Sequence, residues 1–187
     1  MSENQNAFQE VRLLLNAKEL ASLGPEPRQG REPLEILDEK IAHAFSKINL
    51  SPSSQQLIRS LVLLWHDHLD ESHSISQNLH SADGSFLHGI MHRREPDYGN
   101  AKYWFHRVGE HPCYPALAIK AAALIDRAEN GALKSQLLPG GDWDAFGFVD
   151  ACEKALRRKD AKAIATLQAA QEIEFKMLLD HFLGSLG

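Results

Sequence analysis

The sequence predicts an all-α protein, a single-domain antiparallel helical bundle, and three observations carry that expectation. Apolar residues recur at three- and four-residue intervals along most of the chain. No stretch shows the repeated apolar–polar alternation, rich in Val, Ile and Thr, that strands need. The length of 187 residues, with 43% hydrophobic and 24% charged residues, suits one domain able to bury a continuous core without disulfides.

Residues 1–30 read as a mobile or strap-like leader and 31–187 as the helical domain. A short helix is expected over Phe8–Leu20, after which Gly24-Pro25-Glu26-Pro27 and Gly30 interrupt regular structure. From Pro33, the positions Leu34, Ile36, Leu37, Ile41, Ala44 and Phe45 mark one face of a helix ending near Lys47. Ser51-Pro52 caps the next, whose stripe Leu57, Ile58, Leu61, Leu64 and Trp65 predicts a long helix into the mid-seventies. Asp83-Gly84-Ser85 punctuates, Phe86–Glu95 is helical up to Pro96, and Asp97 caps a helix over Tyr98–Val108. Past Gly109 and the prolines at 112 and 115, a helix is predicted over Ala116–Ala128. After the turn-rich 138–142 run, Phe146, Val149, Cys152 and Leu156 share a helical face, and Asp160 caps a final helix to Leu183.

A net charge of −5 and a pI near 6.0 argue against nucleic acid as a partner, which needs a surplus of Lys and Arg on one face. Met1–Glu10 is polar and lacks the basic and apolar regions of a signal peptide, so a cytoplasmic location is expected. No uninterrupted apolar run exceeds five residues, which excludes a spanning helix and a membrane partner. The two cysteines, Cys113 and Cys152, form neither a disulfide framework nor a thiolate metal knuckle, and neither has the neighbours of an activated nucleophile.

Eight of the ten histidines lie between residues 66 and 111. Histidine is the commonest metal ligand and titrates nearest neutrality, so this crowding points to metal or acid–base chemistry. At about 100° per residue, positions i, i+4 and i+7 share a narrow arc. His88, His92 and Glu95 occupy one such arc, and His66, Asp70 and His73 occupy another. If the two faces meet, His66, His73, His88 and His92 can ligate a divalent ion of zinc, iron or manganese. Asp70 and Glu95 are then the candidate catalytic carboxylates or supports for the ligands. His68 falls within the apolar arc and is expected to be partly buried, as a hydrogen-bonded core histidine competing with His66. The opposing reading is a solvated face of ordinary polar residues.

The run from Arg93 to Arg107 concentrates groups that recognise polar ligands. Arg93, Arg94, Lys102 and Arg107 suit an anion, while Asn100, Tyr103 and Trp104 suit a sugar ring or cation. The alternative is a salt-bridge network with Trp104 in the core. Asp180-His181 in the last helix is able to approach the site in a bundle, but the expected role is to cap a surface.

His88-Gly-Ile-Met-His92-Arg-Arg-Glu-Pro-Asp-Tyr-Gly-Asn-Ala-Lys-Tyr-Trp104, with Arg107-Val-Gly and His111-Pro112, resembles a family of uncharacterised microbial proteins. Leu64-Trp-His-Asp-His-Leu-Asp70 resembles the same pattern. The resemblance implies that residues 64–112 act as one unit and brings no activity with it.

The reading favoured by the residues is a metal-dependent enzyme, hydrolase or isomerase, acting on a small polar or anionic substrate such as a sugar derivative. A metal-free module binding a sugar phosphate or sugar acid is the first alternative. A structural or interaction protein with a buried polar network is the second, and a homo-oligomer is compatible with all three.

Overall fold

The computed structural model describes residues 3–184 and contains only helices and loops, with no strand among the described residues. In chain order the helices are α1 (Glu3–Leu13), α2 (Leu34–Phe45), α3 (Pro52–Trp65), α4 (Leu69–Ser76) and α5 (Ala82–Arg94). There follow α6 (Tyr98–Val108), α7 (Tyr114–Arg127), α8 (Gly131–Leu137), α9 (Ala145–Arg158) and α10 (Ala161–Phe182). None of them is long and apolar enough to cross a membrane.

Local chemistry sets many of the boundaries. Ser51 Oγ accepts from Ser54 N at 3.0 Å, Asp97 Oδ1 from Asn100 N at 3.2 Å and Asp160 Oδ1 from Ala163 N at 3.0 Å. Each thereby satisfies a first-turn amide that has no helical acceptor. The helix at the N-terminus ends at Leu13, not Leu20. Its successor segment nevertheless packs inward, with Leu14, Leu15 and Ala21 joining Val11 in the core.

The longest helix, α10, joins two groups of buried side chains. Its first half contributes Ala163, Leu167 and Ala170 to a core shared with α7, α8 and α9. Its second half places Phe175, Leu178, Leu179 and Phe182 among the apolar faces of α1 to α6. Ile173 packs against both groups, so the molecule behaves as one domain.

Two sequence expectations change here. The predicted long helix through the mid-seventies is broken between Trp65 and Leu69, where Asp67 takes a left-handed φ of 68°. Asp tolerates that geometry better than most residues, and buried hydrogen bonds to its carboxylate hold it there. The Asp83-Gly84-Ser85 stretch, expected as punctuation, lies inside α5, whose cap is Ser81 Oγ accepting from Gly84 N at 3.1 Å.

Helix α5 is central: every residue from Gly84 to Arg94 is buried. Two glycines permit this. A Cβ on Gly84 would sit 2.2 Å from the Leu79 carbonyl oxygen, and one on Gly89 would meet the Phe105 ring at 3.0 Å. Gly84→Ala is therefore expected to cost about 1–3 kcal/mol, because the obstacle is backbone that has to move. Chemical denaturation of the variant checks this.

Candidate metal centre

The break at Asp67 reorients α4 and brings His73 against the face of α5 that carries His88 and His92. The His73 ring centroid lies 4.7 Å from that of His88 and 5.5 Å from that of His92. His88 and His92, one turn apart, stack at 4.8 Å. One nitrogen from each of the three falls within 4.8 Å of the others. Zinc–imidazole bonds of about 2.0–2.1 Å separate tetrahedral ligands by roughly 3.4 Å, so side-chain adjustments of about 1 Å close the set.

His88 is 3% exposed and His92 6%, while His73 is half-buried and keeps one side of the cluster near solvent. Trp104 of α6 stacks on His88 with centroids 3.9 Å apart. Burial pushes His88 down to about 4, reinforced by the charges that His92 and His73 would carry. Burial also lowers His92, against the opposing pull of Glu95. Neutral imidazoles with free lone pairs are the form a metal requires.

The hydrogen bonding is uneven. His92 Nδ1 lies 3.3 Å from Glu95 Oε2, and its Nε2 is 3.0 Å from the Asn100 amide nitrogen. His88 Nδ1 is buried with no partner among the described residues. Leaving a buried polar atom unsatisfied costs on the order of 1–3 kcal/mol, and such an atom calls for a functional reason.

A second cluster was not visible in the sequence. Asp83 of α5, His111 of the loop before α7 and His181 of α10 converge, with both imidazole Nε2 atoms 3.0 Å from Asp83 Oδ1. Asp180-His181 therefore does more than cap a surface: His181 joins this cluster and Asp180 binds Arg12 at 2.7 Å. The Cys113 amide donates to His111 Nδ1 at 3.2 Å, so the ring proton sits on Nε2 and is donated to Asp83. That tautomer has no lone pair for an ion between the three groups. Burial pushes the Asp83 carboxyl up, but the hydrogen bond from His111, with the charge and hydrogen bond of His181, outweighs it and holds it below the usual value. The cluster reads as a hydrogen-bonded tie between α5, α7 and α10.

The remaining predicted residues separate. His66 does not join the metal cluster. It ends α3, buried, and its Nε2 lies 2.7 Å from the Leu14 carbonyl it donates to. His68 is buried and bonds the Glu32 carbonyl at 2.9 Å. Both fasten the N-terminal segment to the bundle. Asp70 is exposed in the first turn of α4. Glu95 supports His92, as above.

Arg93 and Arg94, expected to hold substrate, are instead fully buried in ion pairs, because α5 has no solvent face to present them on. Arg93 binds Glu174 at 2.6 Å and Gln171 at 3.1 Å and lies 4.2 Å from the Phe148 ring centroid. Arg94 binds Asp67 Oδ1 at 2.7 Å, and Arg28 binds Asp67 Oδ2 at 2.8 Å. Burial raises the Asp67 carboxyl, but bonds from the Arg28 amide and guanidinium, with the Arg94 charge, bring it below its usual value. Of the others, Asn100 touches His92, Lys102 pairs with Asp150, and exposed Tyr103 and Arg107 flank Trp104, the guanidinium 5.3 Å from its centroid.

These shifts make stability depend on pH. Burial depresses His66 despite its bond to Leu14, and it depresses His88 to about 4. The unfolded chain then binds protons between about pH 6.5 and pH 4 that the fold refuses. Folding stability is expected to be intact above pH 6.5 and to fall by roughly 1–3 kcal/mol as the pH drops toward 4. The depressed carboxyls of Asp67 and Asp83 add their losses only below about 3.9. Urea unfolding of metal-free protein at pH 7.5, 5.5 and 4.5 checks the sign, and His88→Phe should flatten the slope.

No family model, curated protein or solved structure matches the chain, so its chemistry is read from these residues alone.

Proposed function

We propose that the chain binds one divalent ion of zinc, iron or manganese through His73, His88 and His92 and acts as a metal-dependent hydrolase or isomerase on a small polar or anionic substrate. The observation that carries the reading is the convergence of three imidazoles, with one nitrogen from each within 4.8 Å of the others; in addition, His88 carries a buried ring nitrogen with no partner among the described residues. Three protein ligands leave a coordination position for water or a substrate oxygen, and a bound ion would supply Lewis acidity there.

The surrounding residues then have distinct tasks. Glu95 Oε2, 3.3 Å from His92 Nδ1, orients that ring as carboxylates commonly do beside metals, and an ion bound at Nε2 would displace the Asn100 amide now 3.0 Å from it. Trp104 holds the plane of His88. Asn100, Tyr103 and Arg107 form the polar, positively charged rim from which a substrate is held, while Lys102, between Asn100 and Tyr103 in the chain, pairs with Asp150. Arg93 and Arg94 serve the fold. Their burial counts against the metal-free sugar phosphate module, which relied on their guanidiniums. The family resembled by the His88–Trp104 segment would share the centre, since that segment carries two of the three ligands.

Protein purified without an affinity tag or chelator should carry about one equivalent of metal. Metal-free protein should gain thermal stability on adding zinc, iron(II) or manganese. A metal-free preparation whose melting temperature none of the three ions moves would contradict the proposal.

A further inference from the structure

A cavity of 550 Å³ opens between the end of α6, the start of α7 and the loop leading into α9. The volume suits a small molecule. Its walls include the rings of Tyr114, Trp143 and Phe146 and the carboxylates of Glu110, Asp142 and Asp144, and neither lysine nor arginine is among the residues that line it. His111 also borders it, but both ring nitrogens are engaged, by Asp83 and by the Cys113 amide. It therefore offers no free ring nitrogen to an occupant.

Aromatic faces carry negative charge density and attract cations, most effectively those with weakly held water. Carboxylates at the mouth add attraction of the same sign, and they disfavour an anion. Asp144 is fixed in place because its Oδ1 accepts the Phe146 and Gly147 amides at 2.9 Å as the cap of α9. Asp142 and Glu110 are exposed, and neither has a cationic side-chain partner among the described residues. A quaternary ammonium has no N–H group to satisfy, so ring faces and nearby carboxylates meet all its needs.

From this lining we infer that the cavity binds a free, small quaternary ammonium compound, at a site separate from the three-histidine cluster. The test is calorimetric titration of the full chain with tetramethylammonium and choline, and with 3,3-dimethylbutan-1-ol, the uncharged carbon counterpart of choline. Choline should bind with a Kd of about 1 mM or tighter, and the alcohol at least about tenfold more weakly. Phe146→Ala and Asp142→Asn alter exposed side chains and leave the cores untouched. Each should weaken choline binding about three- to tenfold. No binding of either cation at about 20 mM, equal binding of the alcohol, or unchanged affinity in both variants would overturn the inference.

Discussion

Replacing Glu174 with alanine is expected to destabilise the protein by about 3–5 kcal/mol, enough to unfold a marginally stable domain. The substitution leaves the Arg93 guanidinium buried with Gln171 and the rings of Phe148 and Phe105 but no counter-charge to pair with. Burial pulls Arg93 toward neutrality, and the Glu174 carboxylate more than offsets that pull in the native protein. Glu174→Gln keeps a hydrogen-bond acceptor and should cost less. The double variant Arg93→Met, Glu174→Leu should recover most of the loss, since a buried ion pair replaced by apolar groups of similar volume is often neutral. Chemical denaturation of the four proteins measures this, and a Glu174→Ala variant within about 1 kcal/mol of wild type would show that the pair does not tie α5 to α10.

His88→Phe is expected to reverse the usual relation between a core substitution and stability. The phenyl ring can keep the stack on Trp104 while removing a buried nitrogen that has no partner. Metal-free protein should therefore be as stable as wild type, or more so, by up to about 2 kcal/mol. The same variant should lose metal binding by more than about a hundredfold, because one of three ligands is gone. His73→Ala and His92→Ala should share the binding defect, and Glu95→Gln should weaken the metal by about 10- to 100-fold. His66→Ala should leave metal binding alone and lower stability, since His66 bonds the Leu14 carbonyl. Melting curves with and without metal separate these outcomes, and a stable His88→Phe protein that still binds zinc as wild type does would remove His88 from the site.

The helical fold was legible because apolar spacing and the caps at Ser51, Asp97 and Asp160 act locally, within one turn of the chain. The His88–His92 pair was legible for the same reason. Its partner was only half readable. His73 and His66 share a helical arc on paper, but no glycine or proline announces the break at Asp67, which long-range bonds from Arg28 and Arg94 stabilise. Arg93 and Arg94 were misassigned because polar residues on a helix ordinarily mark a solvated face, whereas α5 is enclosed on every side. The cluster of Asp83, His111 and His181 joins residues 28 and 98 positions apart, with no local pattern to betray it.

The central claim is that three imidazoles hold one ion, and X-ray absorption at the metal edge of zinc-loaded protein addresses it directly. Wild type should show nitrogen or oxygen neighbours at about 2.0–2.1 Å with the outer-shell scattering of three imidazoles. Loaded at high zinc, the His73→Ala protein should show two. A wild-type spectrum without imidazole scattering, or one that the loss of His73 leaves unchanged, would contradict the account.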